Sequence, residues 1–308
     1  MAVRLGVALS SGGAAGMAHV GVLEELEKHG FRVDVVAGTS AGALVGAAFC
    51  ANGLRGFSDT MTRLTRGRVL RLFDFTWPYS GLLEGRRSLE LVRPYLGERI
   101  ETLFRTYAAI ATDLYTGREV VLRRGPVLEA VRASAAIPGL FTPQRWQNRL
   151  LVDGGLVNPV PVDVVRQLGA ERVLAVSVIP VPEESRRAEP PRSLSRLLLA
   201  RFLSRHAGRT PEDEAELEPT RYGKDPGLVE ILSRASAVIQ SRIAAAKLRE
   251  SPPDLLVRIS LPEIGLFDFH RSKEAIEAGR KAAEKVLPEV RSLVRDRLVS
   301  IPRWKFPR

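Results

Sequence analysis

The chain has 308 residues, 45% of them hydrophobic and 26% charged, with a formal net charge of +11. This length suits one large α/β domain or two small ones; the lone cysteine, Cys50, excludes an intrachain disulfide, and the absence of any run near 20 uninterrupted apolar residues excludes a membrane-spanning helix. The positive balance predicts attraction to polyanions, with membrane surfaces, nucleic acid and acidic ligands all qualifying.

Residues 3–10 read as a strand, with no long apolar signal-peptide core before it, so a cytoplasmic location is expected. A small-residue loop follows, Ser11-Gly12-Gly13-Ala14-Ala15-Gly16, and then a helix over 17–29 with apolar spacing at Val20, Val22, Leu23 and Leu26. A second strand, Val33 to Ala37, enters Gly38-Thr39-Ser40-Ala41-Gly42, and a helix-compatible run, Ala43 to Ala51, leaves it. This βαβα opening with short loops predicts a parallel sheet covered by helices. Further strands are expected at Tyr107–Thr112, Glu119–Leu122, Leu150–Val152, Arg172–Val178 and Leu255–Ile259. Further helices are expected at Ser88–Tyr95, Pro126–Ala135, Pro161–Leu168, Gly227–Leu248, Lys273–Leu287 and Glu289–Val299. Residues 1–308 are expected to form a single domain, from which the Pro-, Arg- and Glu-rich stretch 180–226 departs as a mobile or lid-like excursion.

Within that excursion, residues 194–206 carry Leu194, Leu198, Leu199, Phe202 and Leu203 on one helical face, flanked by Arg196 and Arg201. Such a helix suits peripheral contact with anionic lipid. A helix packed on the core fits the same spacing. The terminal Arg303-Trp304-Lys305-Phe306-Pro307-Arg308 offers a second aromatic–basic anchor. No DNA-reading motif is present and the positive charge is spread along the chain, so no specific nucleic-acid partner is expected. Composition is silent on oligomeric state.

The chemistry centres on G-T-S-A-G, the G-x-S-x-G pattern of a nucleophile elbow in its strand–turn–helix setting. A turn of this kind stands Ser40 at a helix N-terminus, where backbone N–H groups favour developing negative charge. The same pattern also describes an inert strand-to-helix turn. In the loop at 11–16, Gly12 and Gly13 remove side chains that would block a reacting carbonyl, so its amides can serve an oxyanion. A dinucleotide-binding loop is the rival reading, but it wants an acid at the end of the second strand, and Asp34 is at the start.

The base has several candidates. His206 and His270 lie late enough for the order Ser…Asp…His, and His270 is the better placed of the two, beside regular structure. Asp153, at the end of Leu150-Leu151-Val152 and followed by Gly154-Gly155, can instead take the proton directly if partial burial raises its proton affinity. An ordinary D-G-G turn is the plain alternative. No His, Cys or Asp cluster has metal-ligand spacing, so neither metal nor cofactor is expected.

Three motifs in this order, the glycine loop, G-T-S-A-G and D-G-G, resemble the bacterial patatin-like phospholipases. The likeness is dense over residues 3–180. It includes Ala18-His19-Val20-Gly21-Val22-Leu23, Ala111-Thr112-Asp113-Leu114-Tyr115-Thr116-Gly117, Ala133-Ser134-Ala135-Ala136-Ile137-Pro138-Gly139 and Asp153-Gly154-Gly155-Leu156-Val157-Asn158-Pro159. The resemblance implies a three-layer α/β/α fold with a mostly parallel central sheet, and hydrolysis of lipid acyl esters. It also implies a Ser–Asp dyad of Ser40 as nucleophile and Asp153 as base, with oxyanion N–H groups from Gly12, Gly13 and Ala14. His19 is then a packing or hydrogen-bonding residue, and Asp113 a structural turn residue. Two positions depart from the family pattern: Ser11 replaces the first loop glycine, and Ala15 stands where Arg or Lys is usual. The second departure puts phospholipid preference, against simple ester preference, in question. An acyltransferase or thioesterase with the same dyad, and a non-enzymatic basic membrane-binding module, are the alternatives.

Overall fold

The computed structural model describes residues 3–74, 81–180 and 228–295. The predicted excursion at 180–226, the 194–206 run within it, His206 and the terminal aromatic–basic segment therefore lie outside the described residues, apart from Pro180. The strands are β1 (Leu5–Leu9), β2 (Val33–Thr39), β3 (Thr106–Asp113), β4 (Glu119–Leu122), β5 (Gln144–Trp146), β6 (Arg149–Asp153), β7 (Arg172–Ser177) and β8 (Leu255–Arg258). They form one mixed sheet in the order β5-β6-β3-β2-β1-β7-β8, with β4 also paired to β3. β1 runs parallel to β2 and β7, β2 to β3, and β7 to β8; the pairings that involve β4, β5 and β6 are antiparallel.

Helices among the described residues are α1 (Ala18–Lys28), α2 (Ala41–Cys50), α3 (Leu54–Thr62), α4 (Arg66–Leu72), α5 (Arg86–Val92), α6 (Val127–Ser134), α7 (Val162–Gln167), α8 (Leu228–Glu250) and α9 (Ser272–Arg295). The period-2 alternation of buried strands sorts side chains onto two faces. Val7, Leu9 and Val36 join the larger core with α1, α2 and α9. Ala8, Val35, Ala37 and Ile110 join a smaller core with Val164 and Val165 of α7 and Ala244 of α8. The result is the expected α/β/α layering around a mostly parallel sheet.

Four details differ from the sequence reading. Helices α3 and α4 and the short β5 were not anticipated. Leu54, Phe57 and Met61 form the buried stripe of α3, at i, i+3 and i+7. The two helices expected at 273–287 and 289–299 are one through Arg295, which continues across Pro288. None of the described helices is long and apolar enough to cross a membrane.

Candidate active site

The topology brings the termini of β2 and β6 together. Ala109 and Ile110 of β3 pair with β2 and with β4, and Ala111 and Thr112 pair with β4 and with β6. A strand has two hydrogen-bonding sides, so β2 and β6 share one side of β3. β2 is parallel to β3 and β6 antiparallel, so they meet end to end. Thr39 lies opposite Ile110 and Asp153 opposite Ala111. Asp153 is thus delivered by an antiparallel strand running head-on toward β2, and not by a parallel neighbour sharing its C-terminal edge.

Ser40 caps α2 with φ 55° and ψ −117°, one of three non-glycine residues with positive φ among those described. Such strain persists only where the surroundings impose it. Here they do so from both sides. A methyl group on Gly38 would strike the backbone of Gly42, and one on Gly42 would strike the carbonyl of Leu9. Strand and helix can make this turn only because both positions are bare. The Ser40 N–H donates to Ser134 Oγ at 2.8 Å, and Ser134 Oγ donates to the Ile110 carbonyl. Ser134 therefore fastens the elbow to β3.

Asp153 is buried. Its Oδ1 accepts the Gly155 N–H at 2.7 Å, while Oδ2 has no fully formed hydrogen bond. Burial raises its pKa to about 6, against the opposing pull of the Gly155 amide and of the Ser40 hydroxyl. The hydroxyl thus bears on the carboxyl although ideal hydrogen-bond geometry is not closed. A carboxylate with raised proton affinity beside a serine hydroxyl has the chemistry to accept a proton from it.

The glycine loop and the residue before it are held from several sides. Ser10 N–H donates to Val176 O, Ser11 N–H to Pro159 O, and the Val178 N–H to Ser10 Oγ. His19 Nε2 donates to the Ser10 carbonyl at 2.8 Å, and desolvation lowers its pKa to about 4, so it is a neutral tether. A further hold is Gln240 of α8, whose Oε1 accepts the Ser11 hydroxyl. The Ala14 N–H donates to Leu266 O at 3.0 Å. The Ala14 amide is thus engaged, whereas Gly12 and Gly13 have amides with no acceptor among the described residues.

Two cavities converge on Ser40 and share Gly13, Ile137 and Leu266 in their walls. The first, about 140 Å³, is lined mainly by hydrocarbon from α2 to α6 and the segment after α6, including Leu44, Met61, Val69, Leu89, Val131 and Phe141. The second, about 220 Å³, is bounded by Gly12, Ala15, Val178 and Ile264 and by the polar face of α8.

The remaining candidates separate cleanly. His270 lines neither cavity, and its Nε2 accepts from Arg66 Nε at 3.1 Å. Asp113 accepts the Tyr115 and Thr116 N–H groups as a turn residue. Cys50 is buried, and burial pushes its thiol well above the usual range. Among the described residues no group of three His, Cys, Asp or Glu side chains is arranged to hold a metal ion. Ser134 and Gln240 were missed by sequence reasoning. Ser134 carried a signal, since it lies in the Ala133-Ser134-Ala135-Ala136 segment of the resemblance; Gln240 carried none.

Comparison with known proteins agrees with this architecture. A family model described as patatin-like phospholipase matches residues 7–166. An uncharacterized NTE family protein of Mycobacterium tuberculosis is 32% identical over 92% of this chain and 91% of its own length. The neuropathy target esterase sws of Drosophila melanogaster is 33% identical over 56% of this chain and 13% of its own length. Among solved structures, VipD from Legionella pneumophila superposes with a TM-score of 0.45 at 14% identity, covering 94% of this chain and 67% of that one.

Proposed function

The chain belongs to the patatin-like phospholipase family, and we propose that it is a single-domain serine hydrolase of lipid acyl esters. In this reading Ser40 Oγ attacks the ester carbonyl while Asp153 takes its proton. The oxyanion rests on the Gly12 and Gly13 amides, reinforced by the N-terminus of α2. Asp153 returns the proton to the leaving alcohol, an acyl-serine remains, and water activated by Asp153 releases the acid. Ala14 joins the oxyanion donors only if its bond to Leu266 opens. The apolar cavity holds the acyl chain and the polar one the alcohol, so the scissile bond lies at their junction.

The observation that carries the proposal is the pairing of a strained, positive-φ serine with a buried carboxyl of raised pKa across the β2–β6 junction. A fluorophosphonate probe tests it. Labelling of the wild type at Ser40, lost in Ser40→Ala, is the expected result. An unlabelled wild type leaves the basic, non-enzymatic reading standing.

A further inference from the structure

The hydrocarbon cavity that reaches Ser40 has one charge in its wall. Among the described residues that line it, Arg132 of α6 is the charged one, and it is only 8% exposed. Its guanidinium, and not only its stem, belongs to this wall. The Cζ lies 5.5 Å from the centre of the Phe141 ring, and a Cβ on Gly85 would come within 3.4 Å of Nε. Phe141 and Gly85 line the same cavity. Two of the guanidinium nitrogens are engaged elsewhere. Nε donates to the Glu84 carbonyl at 2.8 Å, and Nη2 donates to the Thr142 carbonyl at 2.9 Å and to Thr142 Oγ1 at 2.8 Å. Nη1 is buried and has no acceptor among the described residues. A buried donor left unpaired is unfavourable, and a ligand oxygen that pairs with it removes that cost. A plain hydrocarbon chain cannot. The charge of Arg132 is a separate matter. Burial lowers its pKa, while the carboxylates of Asp74 and Glu84 act in the opposite direction. The guanidinium therefore has acidic neighbours already; what Nη1 lacks is an acceptor, not a counter-charge.

We propose that this cavity selects an acyl chain bearing a neutral oxygen, a keto or hydroxyl group, which accepts a hydrogen bond from Arg132 Nη1. The inference rests on the Ser40 hydrolase reading and adds an acyl class to it. Size limits the chain. The cavity of about 140 Å³ is close to an apolar cavity of ~150 Å³ that holds one benzene, so the enclosed part of the chain is about six carbons. A site built around a hydrogen bond rejects an analogue that lacks the partner atom more strongly than a hydrocarbon pocket rejects a change in size. Arg132 is thus a specificity-determining residue on the acyl side of the scissile bond.

The test compares ethyl hexanoate with ethyl oxohexanoates that carry the keto group on the fourth or fifth carbon, and with monoethyl adipate. Each kcat/KM is divided by that for ethyl hexanoate on the same protein, so a general loss of activity cancels. In the wild type one keto position should be preferred roughly 10- to 100-fold. In Arg132→Gln that ratio should fall toward one. No keto preference in the wild type overturns the proposal, as does a preference that survives Arg132→Gln. A stronger preference for monoethyl adipate overturns the neutral acceptor in favour of a carboxylate. Because Arg132 also holds Glu84 and Thr142, its variant can fail to fold, so a second measurement leaves it intact. A crystal structure of Ser40→Ala with the preferred ketoester should place the keto oxygen within hydrogen-bond distance of Nη1; an oxygen seated elsewhere overturns the assignment. Calorimetric binding of the same esters to Ser40→Ala separates the two levels of argument. Keto-selective binding, with a wild type that hydrolyses none of the esters, sinks the catalytic reading and keeps the site. Hydrolysis without keto selectivity does the reverse.

Discussion

Thr39 and Asp153 occupy consecutive places along one side of β3, opposite Ile110 and Ala111. Ser40 follows Thr39 directly, so the Ser40 hydroxyl and the Asp153 carboxyl approach because two strands end nose to nose. Neither side chain has to reach across a loop. The strand β3 acts as the ruler for both, and Ser134 ties the elbow back to it. Such placement on regular structure holds reacting groups more closely than loops do.

From this relationship, Ser40→Ala and Asp153→Asn should each lower ester turnover by about three orders of magnitude or more, with the fold retained. His270→Ala should keep most of the activity, since its Nε2 is engaged by Arg66 and it lies outside both cavities. Initial rates on a soluble ester, read beside thermal unfolding, check this. A folded His270→Ala protein as inactive as Ser40→Ala would replace the dyad with a triad.

Asp153 and His19 make opposite pH contributions. Burial raises Asp153 to about 6, so its native state holds a proton more tightly than the unfolded chain. Its burial cost is absent below the unfolded carboxylate pKa, near 4, and grows until pH passes 6. Burial lowers His19 to about 4. Its neutral form is fully favourable above the unfolded imidazole pKa, near 6.5, and stability is lost as pH falls through 4. Asp153→Asn should therefore be more stable than wild type at pH 8, by up to about 3 kcal/mol, with the gap closing at pH 4. Activity should fall as pH drops through about 6, because the base must be ionised. Denaturant melts at the two pH values, with a pH–rate profile, read out both; a gap that widens toward acid would reverse the sign and reject the assignment.

The parts of this site that were legible in the sequence are those that sterics impose locally. Gly38 and Gly42 bracket Ser40 because strand and helix touch there, and the spacing G-x-S-x-G records that contact. The loop at 11–16 and the Asp153 turn are likewise written in small residues. What was not legible depends on partners distant in sequence. Nothing in Leu150-Leu151-Val152 distinguishes a parallel neighbour of β2 from an antiparallel strand meeting its end. The Ala14 amide is a free donor until Leu266, some 250 residues later, presents its carbonyl. Gln240 looks like a solvated helix residue until α8 lies against Ser11 and Gly155. Pro288 reads as a break between helices, yet α9 continues across it.

The glycine loop should reject side chains at position 13. Gly13 has φ +55°, and a Cβ there would sit 2.5 Å from Leu266 Cδ1 and 2.7 Å from the Leu266 carbonyl oxygen. The backbone of Leu266 cannot yield as a side-chain tip would, and it also holds Ala14. Gly13→Val should displace the loop amides and cut kcat by about 10²–10³, with a much smaller change in KM, because oxyanion donors act in the transition state. Steady-state kinetics decide the matter. A large rise in KM at unchanged kcat would assign the loop to substrate binding instead.

Ser11 and Gln240 form the last testable link. Both side chains are buried, and Ser11 Oγ donates to Gln240 Oε1 while Gln240 Nε2 donates to Ser236 Oγ at 2.9 Å. The Gln240 amide also packs over Gly155, where an added Cβ would come within 2.6 Å of its Cδ. One residue of α8 therefore touches both the glycine loop and the turn that carries Asp153. Ser11→Ala leaves a buried amide oxygen without its donor, which should cost about 1–3 kcal/mol of stability. Gln240→Leu removes the acceptor and keeps the bulk; the Ser11 hydroxyl is then the orphan, at a similar cost. The double variant Ser11→Ala/Gln240→Leu removes both ends of this bond, so its loss should be smaller than the sum of the single losses. Denaturant unfolding of the four proteins completes the cycle. If the losses simply add, the bond contributes nothing specific and α8 is held against the loop by packing alone.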